Sequence, residues 1–327
     1  MMKLLLMKRF YDTVDDRRSP VLDEIAGRWF ESYEAFMYRA SANFVARVVH
    51  GDSTYFLRFN HETERSLGHI EAELEYINHL LAHGVNANRP VPSLLGNLVE
   101  CVDTGLGVFH AVLFEEVIGE HIESDELGLN GFRLWGGALA RVHEVGMGLE
   151  VSGTPSWSSH LDAIMSITGD NSVLLPEAKK LEAILSQFNQ TSGYGLISFD
   201  FELDNIKWVG DSPGFMDFDD FCYHWHAADI AYALRDLYGD RTTGFDPDDP
   251  RFKAFIEGYR GVKGIPDEEL ERIPVFIRLH NLYTYSRIHW AYEDEPGQDE
   301  PGWVVNLRGK LMSKNESYLM DIVGSPL

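Results

Sequence analysis

The hydrophobic period of this chain changes once, near Gly119, and that change limits the fold more than any other feature of the sequence. Before it, Phe44 to Val49 and Thr54 to Phe59 are rich in β-branched and aromatic residues and flank His50-Gly51-Asp52-Ser53, the pattern of a β-hairpin. Leu98 to Val102 and Val108 to Val117 repeat the arrangement around Asp103-Thr104-Gly105-Leu106-Gly107, so an antiparallel sheet is expected. Between the hairpins, from His69 to His83, Ile70, Leu74, Ile77 and Leu81 recur at three- and four-residue intervals, an amphipathic helix that Gly84 closes. After Gly119 the period becomes helical. Phe132, Trp135, Leu139 and Val142 form one stripe, and helical stretches follow near 176 to 190, 226 to 237, 267 to 291 and 303 to 320. One β-rich interruption, Gly195 to Phe218, breaks that series, and the acidic stretch Glu293 to Gly302 reads as a turn.

A chain of 327 residues exceeds what one hydrophobic core usually serves, so the change of period is read as a lobe boundary. The expected class is α+β: residues 1–117 form a small lobe of antiparallel sheet with one helix, and residues 118–327 a mainly α lobe. Lys and Arg number 28 against 52 Asp and Glu, a net charge of −24 that repels nucleic acid and anionic lipid and favours cationic partners. The two cysteines, Cys101 and Cys222, are too few for a disulfide framework. The apolar run Leu4 to Met7 is too short for a signal peptide, and no stretch approaches the ~20 apolar residues of a membrane span. The expected location is the cytoplasm, with no membrane partner.

Chemistry concentrates in Ser198-Phe-Asp-Phe-Glu-Leu-Asp-Asn205 and Gly214-Phe-Met-Asp217-Phe-Asp-Asp220. Phosphoryl transfer needs a carboxylate to accept a hydroxyl proton and hard oxygen ligands to hold magnesium against phosphates. Asp200, Asn205 and Asp217 are of those types. A hairpin centred on Asp211 would set Asn205 directly across from Asp217, with Cβ atoms about 5 Å apart. Any one of these residues taken alone is better explained by an acidic turn, since Asp and Asn suit turns. Their combination just after the lobe change, where a cleft is expected, favours a site.

The run resembles the signature His-x-Asp-x-x-x-x-Asn followed by an Ile-Asp-Phe-like triplet, shared by aminoglycoside phosphotransferases, choline kinases, homoserine kinase-like enzymes and bacterial stress-response kinases. The resemblance implies a two-lobe protein-kinase-like fold and ATP- and magnesium-dependent transfer to a small-molecule hydroxyl. It implies Asp200 as catalytic base, with Asn205 and Asp217 holding magnesium. It covers most of the chain. Ser41-Ala-Asn43-Phe44 is similar to the nucleotide loop, and Tyr55-Phe-Leu-Arg58-Phe59 to the strand carrying the phosphate-binding cation, with Glu73 its helix partner. Phe114-Glu115-Glu116-Val117 resembles the hinge that meets adenine, and Arg141-Val-His143 a helix segment that often reads Gly-x-x-Leu-x-x-Leu-His. Two positions depart from the pattern: Ser198 stands where the family usually has His, and Arg58 where it usually has Lys. A nucleotide-binding pseudokinase is therefore the first alternative. A protein kinase is the second, disfavoured because neither a Gly-x-Gly-x-x-Gly loop nor an Ala-Pro-Glu segment after Asp217 is present. The sequence does not name the acceptor.

Other features read as structural. His79 and His83 have a zinc-compatible spacing but no third ligand, and Cys222, His224 and His226 alternate in an extended segment. Asp246 to Pro250 and Glu293 to Glu295 lack the glycine and terminal Glu of a calcium loop. Trp225, Tyr283, Tyr285 and Trp290 could box a cation, though aromatics at helical spacing are more often core.

Overall fold

The computed structural model describes residues 1–168, 174–239, 241–294 and 300–324. The chain divides into two compact units, one of Met1–Glu75, Asn88–Glu116 and Ile288–Ser313, the other of Tyr76–Ala87, Val117–Arg287 and Lys314–Leu327.

The first unit opens with two helices that the hydrophobic period did not announce, α1 (Leu4–Tyr11) and α2 (Pro20–Ala26). The start of α2 is legible in retrospect. Ser19 accepts from the backbone N–H groups of Val21 and Leu22, and Pro20 occupies the first helical turn, where a missing N–H costs nothing. Then come β1 (Glu34–Ala40), β2 (Phe44–His50) and β3 (Ser53–His61), the helix α3 (Leu67–Ala82), which belongs to this unit as far as Glu75, and β4 (Pro90–Val91), β5 (Glu100–Thr104) and β6 (Gly107–Glu115). The six strands make one antiparallel sheet in the order β1-β2-β3-β6-β4, with β5 also on β6. Both expected hairpins are present, turning at Gly51-Asp52 and Gly105-Leu106. Under the sheet Phe10, Phe44, Phe59 and Phe109 pack with ring centroids 4.4 to 6.4 Å apart. Each such buried ring is worth about 3–5 kcal/mol against truncation to alanine. On α3 the buried stripe is Ile70, Leu74, Ile77 and Leu80, with Leu81 half-buried in place of the fully inward role its spacing suggested.

The second unit is mainly helical: α4 (Gly128–Gly146), α5 (Trp157–Thr168), α6 (Leu174–Leu185), α7 (His226–Ala233), α8 (Arg235–Tyr238), α9 (Pro250–Arg260) and α10 (Asp267–Leu270), with α11 (Ile273–Tyr292) as far as Arg287 and α12 (Gly302–Gly324) from Lys314 onward. The stripe Phe132, Trp135, Leu139 and Val142 on α4 is buried as expected. Helices α4 and α9 touch backbone to backbone. A Cβ on Gly136 would lie 2.0 Å from the Phe255 carbonyl oxygen, and one on Gly258 1.9 Å from that of Arg133. Two short antiparallel pairs interrupt the helices, β7 (Tyr194–Ile197) with β10 (Cys222–Trp225), and β8 (Ile206–Val209) with β9 (Ser212–Phe215). The acidic turn expected over Glu293 to Gly302, like the cluster Glu293 to Glu295, lies partly outside the described residues. Among the described residues, no helix is long and apolar enough to cross a membrane.

Candidate functional site

The hairpin β8–β9 is stitched into the second unit on both sides. Glu120 exchanges backbone hydrogen bonds with Trp208, at 2.9 and 2.8 Å, while the Phe215 N–H donates to Asn86 O at 2.8 Å. Gly119 makes the first contact possible: its φ is +137°, and a Cβ there would sit 2.7 Å from the Trp208 carbonyl oxygen. Half-buried Val117 lies against Gly214 in the same way.

The hairpin register corrects the expected pairing. Ile206 pairs with Phe215 and Val209 with Ser212, so the turn is the two residues Gly210-Asp211 and is not centred on Asp211. Gly210 adopts φ +58°, which lets two residues close the turn that three had been expected to make. Asn205 therefore lies across from Met216, whose N–H donates to Asn205 O at 3.0 Å, and Asp217 comes one residue later. Asp217 itself takes φ +65°, a left-handed conformation in which Asp is one of few tolerated side chains.

Before the hairpin, Asp200 and Asn205 are joined by a single 3₁₀ turn, Leu203–Asn205. The Asn205 side-chain nitrogen donates to Asp200 O at 3.0 Å and to Asp200 Oδ2 at 3.2 Å. An amide committed this way presents its oxygen, the atom that ligates hard cations, on the opposite side. Arg235, at the start of α8, spans two carboxylates: Nη1 lies 3.3 Å from Asp200 Oδ1, and Nη2 bonds Glu202. Burial pushes the Asp200 carboxyl upward, Arg235 opposes that, and Asp220 and Asp219 add to it. Glu202 is pushed up to about 8, by burial first and by Asp200 second. Neither Arg235 nor Glu202 carried a signal that the sequence reading used.

Support for this loop comes from a fully buried carboxylate on α7. Asp229 Oδ2 accepts from the Ser198 N–H and Oδ1 from the Phe199 N–H, each at 2.9 Å. Behind it His143 Nε2 lies 2.9 Å from Asp229 Oδ2, and His143 Nδ1 lies 2.8 Å from the Tyr259 hydroxyl. Burial pulls His143 down to about 3, so the ring is neutral, donating through Nε2 and accepting from Tyr259 through Nδ1. Burial lifts Asp229 to about 7 against the pull of the two loop amides.

In the first unit the predicted nucleotide residues are placed separately. Arg58 on β3 and Glu73 on α3 form a buried ion pair through both guanidinium Nη atoms. Asn43, in the bend between β1 and β2, is buried and its Oδ1 accepts from Asn60 Nδ2 at 2.6 Å. Glu115 ends β6, its N–H donating to Arg89 O at 2.9 Å.

The features read as structural fall into place. His79 Nε2 lies 3.0 Å from Val145 O and His83 Nδ1 2.8 Å from His79 O, both contacts to backbone carbonyls. His224 Nδ1 accepts from the Trp225 N–H at 2.9 Å, and His226 stacks on His143. Trp225 is core, against Trp157, Phe188 and Phe276, while the Lys3 ammonium covers Trp290 at 4.6 Å. Among the described residues, no group of three or more His, Cys, Asp or Glu is placed to hold a metal. Asp217 and Asn205 offer one carboxylate and one amide oxygen, the donor types that a hard divalent cation takes.

Comparison with known proteins adds four findings. A sequence model of the phosphotransferase enzyme family matches residues 39–265. Amicoumacin kinase of Bacillus subtilis (strain 168) is 25% identical over 303 residues, covering 88% of this chain and 90% of that protein. Among solved structures, amicoumacin kinase in complex with AMP-PNP, Ca2+ and Ami superposes with a TM-score of 0.75 at 22% identity, covering 96% of this chain and 97% of the other. A microcompartment-associated aminopropanol kinase gives a TM-score of 0.69 at 20% identity, over 92% and 98% of the two chains.

Proposed function

This chain belongs to the phosphotransferase enzyme family, and we propose that it moves the γ-phosphate of ATP to the hydroxyl of a small, amine-bearing acceptor with Mg2+ as the metal. The observation that carries this reading is the Asp200 carboxylate, held by Asn205 on one side and Arg235 on the other, on a loop whose two preceding amides are fixed by Asp229. A carboxylate so restrained suits a general base, which must meet a hydroxyl at hydrogen-bond distance with little reorganisation.

In this reading Asp200 takes the acceptor hydroxyl proton as that oxygen bonds to phosphorus and the bond to the ADP oxygen breaks. Magnesium, when bound, neutralises phosphate charge in the transition state. Asn205 and Asp217 hold it through oxygen. Arg58, oriented by Glu73, is the phosphate-binding cation, and Asn43, Glu115 and Val117 line the nucleotide. Residues 1–117 serve nucleotide binding and residues 118–327 catalysis and acceptor binding. An amine on the acceptor is favoured by Asp219 and Asp220, whose negative charge bears on Asp200 and would attract an ammonium group. The aminopropanol kinase, by its name, acts on an amino alcohol; for this chain the amine is proposed on the carboxylates.

A pseudokinase is disfavoured because both sequence departures are compensated. Arg58 keeps its Glu73 partner, and the loop that lacks His at 198 is held by Asp229. The test is Asp200→Asn against a panel of amino alcohols, aminoglycosides and sugars. Mg-ATP affinity should stay near wild type while transfer falls about 10² to 10⁴-fold. Equal transfer rates would remove Asp200 from the role of base.

A further inference from the structure

Phe199, the residue before Asp200, adopts φ +69°. A bulky side chain is a rare occupant of that region, where glycine sits without cost. A strained conformation persists only when its surroundings over-determine it. Here the surroundings are explicit. The Phe199 ring is 5% exposed and meets four rings, Tyr232 at 4.9 Å, His160 at 5.0 Å, Tyr283 at 5.4 Å and His280 at 5.8 Å. They come from α5, α7 and α11, so three helices converge on one side chain. Its N–H is fixed independently by Asp229 Oδ1 at 2.9 Å.

We infer that Phe199 is a positioning residue for Asp200, its ring clamped by His160, Tyr232, His280 and Tyr283 and its amide held by Asp229, so that the peptide carrying the base has one orientation. This rests on the reading of Asp200 as base. Ring and amide are two anchors on opposite ends of the residue, and together they fix both the position of the peptide and its rotation. Either alone would leave the peptide before Asp200 free to rotate.

The test uses Phe199→Gly, which relaxes the backbone and removes the ring, and Tyr283→Leu, which removes one half-buried wall and leaves Phe199 in place. Amide hydrogen exchange over residues 196–204 reads the anchoring without any need for turnover. Protection there should fall about tenfold or more in Phe199→Gly and by a smaller factor in Tyr283→Leu. With an acceptor in hand, kcat should fall about 10²-fold and about tenfold respectively, while KM for ATP stays within about twofold, because misplacing the base leaves nucleotide contacts intact. Wild-type protection and wild-type kcat in Phe199→Gly would overturn the proposal and make the ring mere filler. Should Phe199→Gly fail to fold, unchanged protection and kcat in Tyr283→Leu would overturn it equally. If wild type phosphorylates no acceptor, the base assignment fails by itself. The exchange result still decides the clamp: lost protection upholds it as the loop's anchor, and unchanged protection refutes it.

Discussion

Arg58 and Glu73 face each other with two guanidinium nitrogens on two carboxylate oxygens, Nη1 to Oε1 at 2.8 Å and Nη2 to Oε2, and the Glu73 side chain is 0% exposed. Removing one member of such a pair strands a buried charge. Arg58→Met should therefore cost about 3–5 kcal/mol in urea unfolding, and Arg58→Met with Glu73→Leu should recover most of it. Recovery of stability need not restore binding. If Arg58 holds phosphates, the double variant stays weak for Mg-ATP by calorimetry, and wild-type affinity in it would take Arg58 out of the phosphate site.

Asp217 is best tested by Asn, which tolerates the observed φ of +65° and loses only the charge. Stability without ligand should change by less than about 0.5 kcal/mol, as for substitutions that leave packing intact. The extra thermal stabilisation that Mg2+ adds to ATP should disappear. Equal Mg-ATP stabilisation of Asp217→Asn and wild type would refute the metal assignment.

Arg235 lies between Asp200 and Glu202, and its positive charge opposes the upward push of burial on both carboxyls. Arg235→Gln removes that opposition, so Asp200 holds its proton to higher pH. The acid limb of the kcat/KM profile should move to higher pH, with the alkaline side unchanged. A limb that stays in place would show that Arg235 does not act on the base.

His226 is buried, stacked 4.3 Å from His143, and among the described residues neither ring nitrogen has a hydrogen-bond partner. Burial holds its pKa well below 6.5, so it stays neutral in the folded chain while the unfolded chain takes up a proton below pH 6.5. Stability is therefore full above that pH and lost as pH falls. Between pH 7 and pH 5 one such histidine removes about 2 kcal/mol. His226→Leu should flatten the measured fall in unfolding free energy by up to that amount, and an unchanged slope would mean that His226 is protonated in the folded state.

How much was legible follows from the range of each interaction. The hairpins at Gly51-Asp52 and Gly105-Leu106, helix α3 and the stripe on α4 were readable because local period and turn residues specify them within about ten positions. Helix α2 is marked locally by Ser19 and Pro20, whereas α1, eight residues long and without a side-chain cap, is too short for its period to stand out. The hairpin at 206–215 was found, but its register came out one residue off. Register depends on the φ of Gly210, which a glycine in a sequence permits without requiring.

The sequence by itself supplied the residue types of the proposed site, Asp200, Asn205 and Asp217, because the chemistry of phosphate and magnesium admits few side chains, and its family resemblance supplied Glu73 as the partner of Arg58. Only the tertiary structure decided what surrounds them. Asp229 reaches the Ser198 and Phe199 amides from 31 and 30 residues away, Arg235 reaches Asp200 across 35, and three helices close on the Phe199 ring. No local pattern encodes those contacts. They exist because burying α7 and α11 brings a carboxylate and a set of rings to the one loop whose backbone amides and strained φ need partners.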